Sequence, residues 1–122
     1  MKKDPGFRRA DRVQAEIHEV MAMILSRFSR EPRFSRATIT RVTLSGDLRK
    51  ATIFYRLFPG EDPTLCQEAF DRHLGGLRKE LASRIRIKYI PTLNFLLDTG
   101  ETDSERIERL LASQNSGEEG EA

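Results

Sequence analysis

Gly75 and Gly76 interrupt a helical pattern that runs from about Leu65 to Ile85, and the basic run Arg84-Ile85-Arg86-Ile87-Lys88 follows, with Pro91 beyond it. A glycine inside a helix costs roughly 1 kcal/mol relative to alanine. The pair therefore predicts a kink or a close backbone approach. Backbone N–H groups at such a break, with Arg84, Arg86 and Lys88 beside it, are suited to holding a phosphate backbone: amides and forked guanidinium donors converge on the same oxygens. The competing reading is that the glycines let the helix pack closely on a sheet while the arginines form a solvated face.

Other chemistry finds little material. His18 and His73 are the only histidines and Cys66 the only cysteine, too few for a metal cluster. Cys66 and His73 share a helix face two turns apart, but the separation of about 10 Å at 1.5 Å per residue is too great for a nucleophile and its base. His73 fits helix surface or kink packing better than ligation. No glycine-rich phosphate loop, serine elbow or metal-binding carboxylate set appears. Neither enzymatic activity nor a metal or cofactor is expected.

These residues belong to a chain of 122 residues, enough for one domain around a single modest core. No apolar run approaches the roughly 20 residues of a membrane helix. The segment Met1 to Arg12 is charged and lacks the apolar stretch of a secretory signal. A lone cysteine fits a reducing compartment. A cytoplasmic protein with no membrane association is expected.

The net charge of +2 conceals a division. Residues 1–97 hold 19 Lys and Arg against 11 Asp and Glu, while residues 98–122 hold 2 against 8. Sixteen of the 21 cations are arginine, which binds phosphate bidentately and stacks on bases where lysine supplies only a point charge. The bias favours a nucleic-acid partner; a GC-rich genome is the alternative source of arginine.

An amphipathic helix is predicted over residues 9–29, with Val13, Ile17, Val20, Met21, Ile24 and Phe28 on its inner stripe and Glu31-Pro32 ending it. A strand over Ala37 to Ser45 slips phase near Arg41, the signature of a β-bulge. Gly46-Asp47-Leu48-Arg49 supplies a turn, and Ala51, Ile53, Tyr55 and Leu57 alternate as the inner face of a second strand. Phe54 and Phe58 fall on the outer face, which is either partly covered by a helix or open for contact. Asp62 is the expected N-cap, and Pro63 the first residue, of the long broken helix, whose apolar face reads Leu65, Ala69, Leu74, Leu77, Leu81 and Ile85. Leu93, Phe95 and Leu97 mark a third strand, and Ser104 to Ala112 a short helix packed loosely on the body. Such an order fits an α+β domain with helices on one face of a three-stranded sheet.

In this order the residues resemble the bacterial ribosome-binding factor A family, over roughly residues 8 to 111. The resemblance is carried by Arg8-Arg9-Ala10-Asp11-Arg12-Val13, Glu31-Pro32-Arg33, Val42 to Ser45 with Asp47-Leu48, Ala51, and above all Leu81 to Phe95 with Arg86-Ile87-Lys88, Pro91, Leu93 and Phe95. It implies a type II KH-like fold in which an Ala-x-Gly kink replaces the usual helix-loop-helix signature. That kink falls here at His73-Leu74-Gly75, with histidine in place of alanine and Gly76 as a second glycine. It also implies a noncatalytic factor that binds the free small (30S) ribosomal subunit and assists late maturation of 16S rRNA.

RNA binding in such a fold needs amides near phosphates and cations that hold the strand in register. Gly75 and Gly76 are the candidates for the first. Arg72, Arg78, Lys79, Arg84, Arg86 and Lys88 are the candidates for the second. Arg8, Arg9 and Arg12, with Lys2 and Lys3, form a second basic group; Arg41, Arg49 and Lys50 on the hairpin extend the surface or merely decorate a turn. The expected organisation is a flexible basic arm over 1–7, a KH-like RNA-binding domain over 8–112 and a disordered acidic tail over 113–122, as a monomer. The tail is either solubilising or an electrostatic screen against unrelated RNA. The rival function is a protein-interaction module that uses an exposed sheet face at Phe54 and Phe58, its basic surface serving solubility only.

Overall fold

The computed structural model describes residues 5–100, 102 and 104–112, with side chains from Arg9 onward. Residues 1–4 of the expected arm, the side chain of Arg8 and the acidic tail over 113–122 lie outside the described residues.

Helix α1 spans Pro5–Arg27 and takes in residues 5–7 of that arm. Proline suits a first helical position because its φ is already set. Relative to the predicted span, α1 starts four residues early and ends two residues early. It ends because the chain tightens into the 3₁₀ segment Pro32–Arg36, which the sequence reading left out. The expected stripe is inward: Val13, Ile17, Met21 and Ile24 are buried, with Val20 and Phe28 at its margin and Leu25 added.

Strand β1 (Ala37–Leu44) pairs antiparallel with β2 (Lys50–Leu57), and the register shifts between Ile39 and Arg41. The predicted bulge is therefore present, with Thr40 as the extra residue. Its consequence is that Ile39 and Val42, three residues apart, are both buried. The turn between the strands is held by Asp47, whose carboxylate accepts from the Ser45 hydroxyl (2.7 Å) and the Arg49 N–H (3.1 Å). Leu48, not a glycine, occupies the left-handed region there, at φ 62°.

Helix α2 (Pro63–Arg72) is capped as predicted, Asp62 accepting from the N–H groups of Thr64 and Leu65. Its buried face, however, is Cys66, Ala69 and Phe70. Leu65, assigned to the core from the sequence, is 43% exposed; a pattern phased through the glycines misplaces the turn that precedes them. Helix α3 (Leu74–Ala82) buries Leu77 and Leu81. Strand β3 (Thr92–Leu97) then pairs in parallel with β2 and completes a sheet of order β1-β2-β3. Helix α1 packs on β1, and α2 and α3 pack on β3. One core results, centred on Phe34, Ile53, Tyr55, Phe70, Leu77 and Phe95.

On the opposite sheet face, Phe54 is only 3% exposed, because the guanidinium groups of Arg41 (4.0 Å) and Arg106 (4.5 Å) lie over its ring. The open apolar face on which the interaction-module reading depended is thus covered at Phe54, although Phe58 is exposed. Arg106 belongs to α4, residues 104–112. This helix starts with a reciprocal cap, Glu105 N–H to the Thr102 hydroxyl and Thr102 N–H to the Glu105 carboxylate. Its Ile107, Leu110 and Leu111 are each more than half exposed.

Candidate nucleic-acid interface

The long helix breaks at His73, not at the glycines. His73 has φ −105° and ψ 12°, and its N–H reaches back to the carbonyls of both Ala69 and Phe70. Its ring is held edge-on against Phe28 and Phe34, at 5.2 and 5.7 Å between centroids. His73 is kink packing, and its side chain gives no cap to the first-turn amides of α3.

Gly75 and Gly76 sit in that first turn without left-handed φ. A Cβ added at Gly75 would meet nothing within 4 Å, and one at Gly76 would meet only Arg30 Nη2 at 3.6 Å and the Phe28 ring at 4.0 Å. Close packing on the sheet therefore does not explain the glycines. Within the described fold, alanine fits at Gly75.

The cations nearest the break are committed to folding. Glu31, 5% exposed, binds Arg72 at 3.0 Å and Arg33 at 3.4 Å while also capping the 3₁₀ segment through the Arg33 N–H. Burial pushes the Glu31 carboxyl upward, but the Arg33 amide and charge and the Arg72 hydrogen bond together outweigh it and hold the group below its ordinary value. Cys66, two turns before His73 and buried, has its thiol pushed up to about 11 by burial and then by the Glu61 charge. It is the neutral thiol at pH 7.

Beyond the break, basic residues follow the seam between α1 and α3. Gly76 lies beside Phe28 and Arg30; Glu80 and Arg84 share a cleft of about 220 Å³ with Ile24, Arg27 and Arg30; Ile87 and Lys88 share another of about 220 Å³ with Arg9 and Val13. The neighbours thus run in opposite order along the chain. From Arg9 to Arg27 the seam extends about 27 Å at 1.5 Å per helical residue. Arg84 makes only an exposed pair with Glu80, at 3.4 Å, which carries little stability. Arg12, Lys79 and Arg86 are exposed and form no ion pair among the described residues.

Arg78 behaves differently. Its Nε donates to the Pro91 carbonyl at 3.1 Å and its Nη2 to the Ile90 carbonyl at 2.7 Å, so it secures the loop before β3. Lys88 and Arg49 flank Tyr89, at 5.5 and 5.7 Å from the ring centre. Tyr89, 62% exposed, was not among the predicted site residues. The available signal was an aromatic directly after Lys88, in the basic run that ends at Pro91. Arg27 and Arg30 were also missed, because they sit at and just after the end of α1, distant in sequence from the break.

The fold and this seam can be set beside known proteins. The ribosome-binding factor A family model matches residues 9–111. The chain belongs to that family. A ribosome-binding factor A from Thermodesulfovibrio yellowstonii is 37% identical over 86% of this chain and 89% of its own length. The crystal structure of ribosome-binding factor A from Thermus thermophilus superposes with a TM-score of 0.65 at 24% identity, covering 72% of this chain and 94% of that one. A homology model of Thermus thermophilus ribosome-binding factor A, fitted into the cryo-EM map of its complex with 30S, gives a TM-score of 0.60 at 25% identity, with the same coverage. The α1-β1-β2-α2-α3-β3 order with a parallel β2–β3 pair is the KH-like fold of ribosome-binding factor A. Among the described residues, no helix is long and apolar enough to cross a membrane.

Proposed function

We propose that this chain is a noncatalytic assembly factor of the cytoplasm that binds the free small ribosomal subunit as a monomer and assists late maturation of its 16S rRNA, without metal or cofactor. The observation that carries the reading is the basic seam that α1 forms with α3 and the segment after it: Arg9, Arg27 and Arg84 line its clefts, and Arg12 on α1, Lys79 on α3 and Arg86 after α3 are exposed, none of the six having a buried partner to hold. Cations that do nothing for the fold remain available for phosphates. Membership of the ribosome-binding factor A family, with a relative fitted into a 30S complex, supports the small subunit as the bearer of those phosphates.

Binding on this reading comes largely from phosphate contacts and counterion release, so affinity falls steeply with salt. The first turn of α3 adds amides that the His73 side chain does not cap, and Gly75 there has open space beside it. The test is cosedimentation with purified small subunits of a chain carrying Lys79→Glu, Arg84→Glu and Arg86→Glu. Arg78 is left intact because it secures the loop before β3. Affinity should fall roughly 100-fold or more with an unchanged unfolding midpoint. Normal cosedimentation of this variant, or retention of the native chain in its complex after ribonuclease digestion, would overturn the RNA reading.

A further inference from the structure

Tyr89 stands between two clefts. One, of about 380 Å³, is lined by Arg49, Arg78, Lys88, Tyr89, Ile90 and Thr92; the other, smaller, shares Arg49, Lys88 and Tyr89 but adds the Asp47 carboxylate. The phenol ring is 62% exposed, with the Lys88 ammonium and the Arg49 guanidinium over it at 5.5 and 5.7 Å from its centre. The walls are fixed by backbone bonds. Arg78 holds the carbonyls of Ile90 and Pro91, the Thr92 N–H donates to the Arg49 carbonyl at 2.8 Å, and Pro91 is buried. Here a rigid loop presents an aromatic ring beside Arg49 and Lys88, and among the described residues no carboxylate lines the larger cleft.

We propose that this cleft takes one unpaired nucleotide, its base stacked on Tyr89 and its phosphate held by Arg49 and Lys88. Sequence-tolerant stacking of a splayed base on an aromatic ring, beside cations that track the backbone, is how single-stranded RNA is gripped. A duplex, with its bases stacked internally, leaves the ring unused. The smaller cleft is less suitable for the phosphate because Asp47 faces it, its carboxyl kept ionised by the Ser45 hydroxyl and the Arg49 amide. The inference rests on the proposed function and names the form of RNA that this part of the surface selects.

The experiment measures binding of the full chain to free small subunits as a function of salt. Tyr89→Ala should weaken binding roughly 5- to 100-fold, the loss expected for one base–aromatic stack, while leaving the slope of log affinity against log salt unchanged. Tyr89→Phe, which keeps the ring, should bind within about twofold of the native chain. Arg49→Gln and Lys88→Gln should each lower that slope by about one. In parallel, Tyr89→Trp emission should be quenched by a ten-nucleotide single-stranded RNA and not by the same sequence as a duplex. Native affinity in Tyr89→Ala, alongside lost binding in the Lys79, Arg84 and Arg86 reversal, overturns the cleft and leaves the proposed function standing. Equal quenching by duplex overturns the stacked base. Failure of the native chain to bind small subunits overturns both.

Discussion

The two ends of α3 carry arginines of the same kind and employ them for opposite purposes. At the His73 end, Arg72 and Arg33 enclose the buried Glu31, and Phe28, Phe34, Phe70 and His73 pack ring on ring. At the far end, Arg84 has one exposed pair, Arg86 none among the described residues, and Lys88 leans on an exposed ring. A cation count along the sequence treats both ends alike. What separates a guanidinium that holds the fold from one left for a partner is a partner within the fold, the buried Glu31 carboxylate for Arg72 and the Ile90 and Pro91 carbonyls for Arg78.

The sharpest test of this contrast is at the aromatic stack, where Phe70 lies between Phe34 (4.6 Å) and Phe95 (4.3 Å). Phe70→Ala should cost about 3–5 kcal/mol in denaturant unfolding. Small-subunit affinity of the remaining folded fraction should hold. Next comes Glu31→Gln, which removes the charge that Arg72 and Arg33 share and should cost about 1.5–3 kcal/mol at pH 7. Because folding holds this carboxyl below its ordinary value of 4.5, its contribution is present above that pH and is lost as pH falls through the folded value. The gap between native chain and variant should therefore close in acid. A gap that widens toward low pH would mean the pair does not stabilise the charged form.

The smallest effect is expected at Gly75. Alanine there enters open space in a helical turn, so Gly75→Ala should raise stability by about 0.5–1 kcal/mol. If the exposed amides serve RNA, the same variant should bind small subunits more weakly. Greater stability with unchanged binding would break the comparison at this end, since the glycine would then serve neither fold nor partner.

Much of this was legible beforehand. Hydrophobic alternation gave the sheet, and even the Thr40 bulge showed as a phase slip at Arg41. The Asp62 cap and Pro63 start followed from local chemistry that tertiary contacts do not override. Helix propensity alone put the break at Gly75-Gly76, because glycine is the poorest non-proline helix former, whereas the family resemblance put it at His73-Leu74-Gly75; it falls at His73, held by the rings of Phe28 and Phe34. The Arg72–Glu31 pair and the Arg78 bonds to Ile90 and Pro91 join residues distant in sequence, so no window revealed that these cations were engaged. Tyr89 was passed over for the same reason: its neighbour Arg49 stands at the head of a different strand.

That last separation has a consequence for how the protein comes into being. Ala51 pairs with Leu93 and Lys50 with Thr92 across the whole α2–α3 crossover, a long chain closure that costs more chain entropy than the local β1–β2 hairpin. Arg49 meets Tyr89 only when β3 has docked. A chain still emerging from synthesis, or released with β3 undocked, carries the charges of the proposed cleft without its shape, so competence to grip a single strand requires that long-range pairing to be in place.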